Sequence, residues 1–529
     1  MLKTIGELNL GYSDAENYLA RERKKMFSDI FVKNSYLEKL LEPTTYFLIG
    51  EKGTGKTAYA TYLANSEYKG YKSFLKFIPN TDYVDFYRLK KKNHFEVSGY
   101  VDIWKAILLL VLAKSIVEDG KIIRSSPFDK GNLSSLKDAI DEYSRNAFTP
   151  EILSASKIID NSDAAAKILS KYMEIGSSIG TTIETTEQRF QINLRYIVEK
   201  FSESFKKLKL HKNIILFIDG IDVRPMDIPY TDYLECIRGL ASACWVLNTE
   251  IFSNVRDSEG KIRVVLLLRP DIFNALNMQN STNKLSDNAV LLDWRTTYKS
   301  YKSSSLYKMA TKLLAYDQTE EQVDDIWESY FDWKIPSSNP NRDYDNAFMM
   351  FLKISLSRPR DIQRILKIQK ELMEKREIAN RHTFSEEVFE DDDFQNIYSE
   401  YFLGSLRDQL IFYFSEKEFS LVTDFIEAIP GRSFSFYEFR TAFIRYGEKL
   451  CETENEIPQF MVDSKECLQF LYDSNIVFAI VNPREPDEEF YLSYREKKHT
   501  NIAPKVPIGE NVEYRFHYGL YKQTKKGRF

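Results

Sequence analysis

The sequence predicts an α/β protein in which a parallel sheet covered by helices is followed by a helical lid and a mixed C-terminal domain. Three observations carry this expectation. Short β-type runs are separated by longer stretches of helical spacing. Three of those runs, YFLI, IILFI and VVLLL, are apolar without alternation, as in central strands buried on both faces. From about residue 405 the chain changes character, with helical spacing giving way to two β-type runs around a Pro- and acid-rich turn.

Taken in order, the candidate strands are 46–49, 74–78, 213–218, 263–268 and 289–292. Between about 100 and 210 the spacing is helical (DIWKAILLLVLAKSIVE, DAAAKILSKYMEI, INLRYIVEKFSESFKKL) around a polar break at 177–186, which reads as a helical insertion in the sheet domain. Helical spacing returns from 300 to about 379, interrupted by the loop SSNPNRD, and the acidic, poorly periodic stretch 385–393 reads as a linker. YEFRTAFIRYGEKL and ECLQFLYDSN then precede IVFAIVNPREPDEEFYLSY, and helices followed by a two-stranded ribbon predict a winged-helix-like domain. The expected division is an N-terminal helical segment 1–40, a core 41–299 with its insertion at about 100–210, a helical lid 300–384, a linker 385–404 and a C-terminal domain 405–529 with a basic tail.

Composition narrows the function. The chain's 529 residues are 43% hydrophobic and 29% charged, which suits several ordinary cores. With Lys+Arg 73 against Asp+Glu 78, the net charge is −5, so nucleic-acid contact requires a local patch. Four cysteines (Cys236, Cys244, Cys451, Cys467) without a CxxC pair, and five scattered His, give neither a disulfide framework nor zinc-ligand spacing, and a reduced, cytoplasmic setting is expected. The first residues lack a signal-type apolar stretch, and the longest apolar run, 106–113, is too short to span a membrane. No HEXXH and no paired Cys/His set suggests another hydrolytic chemistry.

The strongest motif is Gly50-Glu51-Lys52-Gly53-Thr54-Gly55-Lys56-Thr57, a complete G-x-x-x-x-G-K-T between a strand and a helical stretch. Glycines let backbone N–H groups approach phosphate oxygens, and the following helix adds its positive end. Gly50, Lys52, Gly53, Thr54 and Gly55 form the cradle; Lys56 is expected on the β- and γ-phosphates and Thr57 on Mg²⁺. In NIILFIDGID, Asp219 ends an apolar strand and is the candidate metal-site carboxylate, while Asp222 is the candidate to orient or deprotonate water. Arg269, ending RVVLLL, is a candidate γ-phosphate sensor. Arg360, in Ser357-Arg358-Pro359-Arg360-Asp361, is expected to project toward the nucleotide from a helix that opens with Pro359.

At these residues the chain resembles the ATPases of the AAA+ and STAND group, including NACHT- and origin-recognition-like proteins. Asp219 and Asp222 match the two aspartates of the NACHT-like D-G-L-D-E motif, and Val223 stands where that motif ends in an acid. The resemblance covers roughly residues 40–375; GYSDAENYL and LLDWRTTYKSYKSSSLY extend it toward stand-alone bacterial P-loop ATPases linked to phage defence and mobile elements. It implies ATP and Mg²⁺ as cofactors, slow or partner-stimulated hydrolysis, a homo-oligomer in which a neighbour's arginine completes the site (Arg238, Arg256 and Arg295 are candidates), and a separate protein effector.

From Phe490 onward, nine Lys+Arg face three Glu, interleaved with Tyr491, Tyr494, Tyr514, Phe516, Tyr518 and Tyr521. This tail could neutralise duplex DNA phosphates, or its aromatics could pack the last strand. The basic run Arg88, Lys90, Lys91 and Lys92 reads as an exposed loop. An ATPase switch, a DNA-handling ATPase and a nucleotide-stabilised scaffold therefore stand as alternatives.

Overall fold

Buried β-branched and leucine-rich runs assemble the central sheet. In the computed structural model, which describes residues 2–78, 97–119, 127–146, 187–225, 228–256, 258–318, 326–337, 343–453, 458–482, 489–493 and 504–520, five strands form it: β1 (Phe47–Ile49), β2 (Tyr71–Phe77), β3 (Asn213–Asp219), β4 (Ile262–Leu268) and β5 (Ala289–Leu291). Their order is β2-β3-β4-β1-β5, and every pairing is parallel. All of β1 and β4, and β3 beyond Asn213, are buried, which is why these runs lack polar alternation. β2, at an edge, is mostly half-buried and carries Lys72 and Lys76.

The described chain divides into two compact units, one of Lys33–Glu51 and Lys56–Leu292, the other of Met1–Val32, Lys52–Gly55 and Asp293–Phe529. In the sheet unit, the long helix Val97–Asp119 is apolar nearly all round from Ile103 to Ala113 and packs against the Tyr230–Val246 helix. Trp104 there donates to the Cys236 carbonyl at 3.1 Å. Arg263, buried at the start of β4, donates to the carbonyls of Leu40, Leu41 and Glu42, so a guanidinium rather than solvent closes the end of the Ser35–Leu41 helix.

The other unit carries the amphipathic helix Pro359–Lys375, whose Gln363, Lys367 and Lys370 hold residues 6–13 through the carbonyls of Gly6, Leu8, Leu10 and Tyr12 and the Ser13 hydroxyl. A short antiparallel pair, β6 (Lys334–Pro336) and β7 (Tyr344–Asn346), lies on either side of the sequence SSNPNRD. Farther on, the helices Glu416–Ala428, Phe436–Thr453 and Ser464–Asp473 accompany an antiparallel sheet of β8 (Ser433–Phe434), β9 (Val477–Val481), β10 (Glu489–Tyr491) and β11 (Val512–Phe516), in the order β10-β9-β11-β8. The predicted ribbon is β9 with β10; β11 and β8 extend it to four strands.

One expectation is corrected. The stretch 385–404 is not a linker. Helices Glu386–Glu390 and Asp392–Leu410 occupy it, with Phe389, Phe394, Tyr398 and Phe402 buried. The acids that obscure this pattern lie at a helix start, where Asp391 accepts from the Asp393 N–H and negative charge is favoured. Met1–Val32 groups with the unit that contains Asp293–Phe529. The region expected as a lid and the C-terminal domain also share that unit. The polar break at 177–186, the run Arg88, Lys90, Lys91 and Lys92, and the tail beyond residue 520 lie outside the described residues.

Candidate functional site

Parallel strands place their carboxyl ends along one edge of the sheet, and connections there collect polar groups. β1 ends at Ile49, and the Gly50 N–H continues its ladder to the Leu268 carbonyl at 3.1 Å. The chain then turns through residues 51–55 into the helix Lys56–Asn65. β4 separates β1 from β3, yet the Thr57 hydroxyl donates to Asp219 Oδ2 at 2.6 Å. The first turn of the helix after β1 thus meets the end of β3.

Lys56 is buried, and a buried ammonium requires a counter-charge. Asp222 supplies it, with Oδ2 2.9 Å from Nζ, and the ammonium also donates to the Gly50 carbonyl at 3.0 Å. The other Asp222 carboxylate oxygen is buried without a hydrogen-bond partner. Asp219 accepts the Gly220 N–H at 2.8 Å on Oδ1. Burial raises the Asp219 pKa, the neighbouring Asp222 charge raises it further, and Thr57, Lys56 and Gly220 act against that rise. Gly220 is required by space and conformation: its φ is +92°, and a Cβ would sit 2.7 Å from the Ile78 carbonyl oxygen.

Arg269 reaches this edge but is not a free cation. It is fully buried, its Nε and Nη2 are both held by the Asp271 carboxylate, and Nη1 approaches the Asp222 carbonyl at 3.5 Å. The residue expected as a sensor is thus paired with Asp271 and lies against the 219–222 turn.

The loop tip Lys52–Gly55 groups with the other unit, where its carbonyls meet three donors. Arg358 Nη1 donates to the Lys52 carbonyl at 2.9 Å, the Arg360 N–H approaches the Gly53 carbonyl at 3.4 Å, and Trp294 Nε1 donates to the Thr54 carbonyl at 2.8 Å. The Lys52 ammonium pairs with Asp408 at 2.6 Å. Arg360, expected to project toward a ligand, meets the loop through its backbone N–H; Arg358 brings its guanidinium to the loop.

Arg358 is buried and forked onto Asp361, with Nε to Oδ2 at 3.0 Å and Nη2 to Oδ1 at 3.2 Å. The Tyr401 hydroxyl donates to the same carboxylate at 2.9 Å and the Leu356 N–H at 3.0 Å. Burial, and next the Asp361 charge, push the Tyr401 hydroxyl pKa up. The spacing of Arg358 and Asp361 across a helix start is a sequence signal for their pairing; Trp294, Tyr401 and Asp408 carry no comparable signal.

Of the candidate arginines for a neighbour's site, Arg238 donates to the Leu276 carbonyl at 2.8 Å, Arg295 is clasped by Asp293, and Arg256 is exposed. In the described part of the basic tail, Tyr514 and Phe516 are buried in β11, Tyr518 packs on Phe478, and Arg515 pairs with Glu513 at 2.7 Å. These aromatics fill a core.

Comparison with family models, with curated proteins and with solved structures gave no match in any of the three. Fold and site together define an α/β unit with an all-parallel five-stranded sheet, at whose strand ends a lysine, a threonine and two aspartates converge. No helix among the described residues is long and apolar enough to cross a membrane.

Proposed function

We propose that the chain binds a magnesium nucleoside triphosphate on residues 50–57 and hydrolyses it slowly, as a switch. The observation that carries this reading is the pairing of Thr57 with Asp219 at 2.6 Å beside that of Lys56 with Asp222 at 2.9 Å, directly after a glycine-rich turn. A hydroxyl and a carboxylate are hard oxygen donors suited to Mg²⁺, which takes few protein ligands and completes its shell with water and phosphate. Among the described residues no group of three or more His, Cys, Asp or Glu forms a closed metal cage. Thr57 and Asp219 are the residues to hold the ion, which would neutralise phosphate charge.

Lys56 then exchanges Asp222 for phosphate oxygens, and Asp222, released, is the carboxylate available to orient or deprotonate water. That ATP is the nucleotide, that the chain works as a homo-oligomer with a separate protein effector, and that the setting is phage defence or a mobile element rest on the family resemblance. A protein partner is favoured over duplex DNA. The described helix Ser464–Asp473 and its cap carry Asp463 and Glu466 against Lys465, a poor surface for phosphates, and of the described tail aromatics Tyr514 and Phe516 are buried.

Titration calorimetry with Mg·ATP and steady-state turnover, with and without duplex DNA, test the proposal. Binding that Lys56→Ala abolishes, with turnover indifferent to DNA, is the expected result. Unchanged affinity in Lys56→Ala removes the phosphate-loop reading, and strong stimulation by duplex DNA replaces the switch with a DNA-handling ATPase.

A further inference from the structure

We propose that Trp294 and Arg358 are positioning residues that orient the loop's anion-binding N–H groups by holding the carbonyls of the same peptide units. The inference rests on the reading of residues 50–57 as a phosphate loop and concerns how that loop is preformed.

In a planar trans peptide the C=O of one residue and the N–H of the next point in opposite directions. The bond from Arg358 to the Lys52 carbonyl, 2.9 Å, therefore fixes the Gly53 N–H, aiming it away from the guanidinium. The bond from Trp294 to the Thr54 carbonyl, 2.8 Å, does the same for the Gly55 N–H. Gly53 and Gly55 have φ of 86° and 92°, so this segment has wide conformational choice and much to lose on ordering. A Cβ on Gly53 would lie 3.2 Å from the Arg360 Cβ, so the tip is also seated against the start of the Pro359–Lys375 helix.

The donors are themselves fixed. Trp294 is buried, and Arg358 is forked onto Asp361, which also accepts from Leu356 and Tyr401, while Ser405 meets Arg358 Nη2 at 3.3 Å. Neither clamp needs to touch a ligand. Each acts through a peptide plane, so each lowers the ordering cost of anion binding by the loop.

The test uses the full chain, with Mg·ATP and magnesium pyrophosphate as separate calorimetric probes, and Trp294→Phe, which keeps an aromatic ring and removes the donor. The expected result is a Kd weaker by about five- to thirtyfold, the cost of reordering one peptide unit, by the same factor for both probes, because the clamp acts on the phosphate cradle and not on the base. Binding stoichiometry stays at the wild-type value. Arg358→Lys keeps a cation for Asp361 but cannot also span to the Lys52 carbonyl; the same loss is expected, and this variant decides if Trp294→Phe does not fold. Wild-type Kd in the folded variants, or a reduced stoichiometry at unchanged Kd, overturns the proposal and leaves the phosphate-loop reading standing. A wild-type chain that binds neither probe overturns both.

Discussion

Lys56 and Asp222 form a pair whose members have separate expected uses. One Asp222 oxygen is on the ammonium and the other is buried without a partner, so the carboxylate neutralises the lysine that the proposal assigns to phosphate. Asp222→Asn is therefore expected to leave the Kd for Mg·ATP no weaker than wild type while lowering kcat by about a hundredfold or more; undiminished turnover removes Asp222 from the chemistry. Asp219 lies under the opposite pressure, since burial disfavours its charge. Asp219→Asn is expected to raise the melting temperature of the ligand-free chain and to abolish the magnesium dependence of nucleotide binding. A lower melting temperature would show that Thr57 and Gly220 outweigh the burial cost.

Among the elements, the Pro359–Lys375 helix does the most to shape the loop, and its start was partly legible: Pro359 opens it and Asp361 lies in its first turn. Asp361 is fully buried and accepts from Arg358, Tyr401 and Leu356, so Asp361→Ala leaves a buried guanidinium uncompensated. The expected loss is about 3 kcal/mol or more in urea unfolding; a loss within error would mean that Arg358 finds other anchors. The helix Asp392–Leu410, which supplies Tyr401, Ser405 and Asp408, was hidden by the acidic composition ahead of it. Its aromatic residues recur at helical spacing, but a run of acids reads as solvent-exposed linker unless its position at a helix N-terminus is known.

Across the whole molecule, buried tyrosine hydroxyls set the alkaline limit. Burial pushes Tyr18 up to about 12 and moves Tyr59, Tyr401 and Tyr514 upward as well. In the unfolded chain these hydroxyls ionise near pH 10, whereas the folded chain keeps their protons. Between the two values the folded state binds more protons, so stability falls as pH rises from about 10 through 12. Melting temperatures are expected to drop across that window, with the last tyrosinate absorbance, beyond that of exposed residues such as Tyr344 and Tyr437, appearing only with unfolding. Full tyrosinate absorbance in the still-folded chain would show that the buried hydroxyls are reached by solvent.

The sequence by itself determined the parallel α/β class, the strands to within a few residues, the 50–57 motif, and the aspartates that end β3 and follow it. Each of these is written in contiguous residues, as a spacing, an apolar run or a turn. Tertiary structure decided which groups meet. The strand order β2-β3-β4-β1-β5 carries Asp219 to Thr57, 162 positions earlier in the chain. The choice of Arg358 over Arg360, the bracing of Arg269 by Asp271, and the bonds from Trp294 and Arg358 to the loop carbonyls depend on side-chain reach and burial around a folded backbone. Local pattern fixes which elements form; only their packing fixes which charge is neutralised, which donor is left over and which peptide is held.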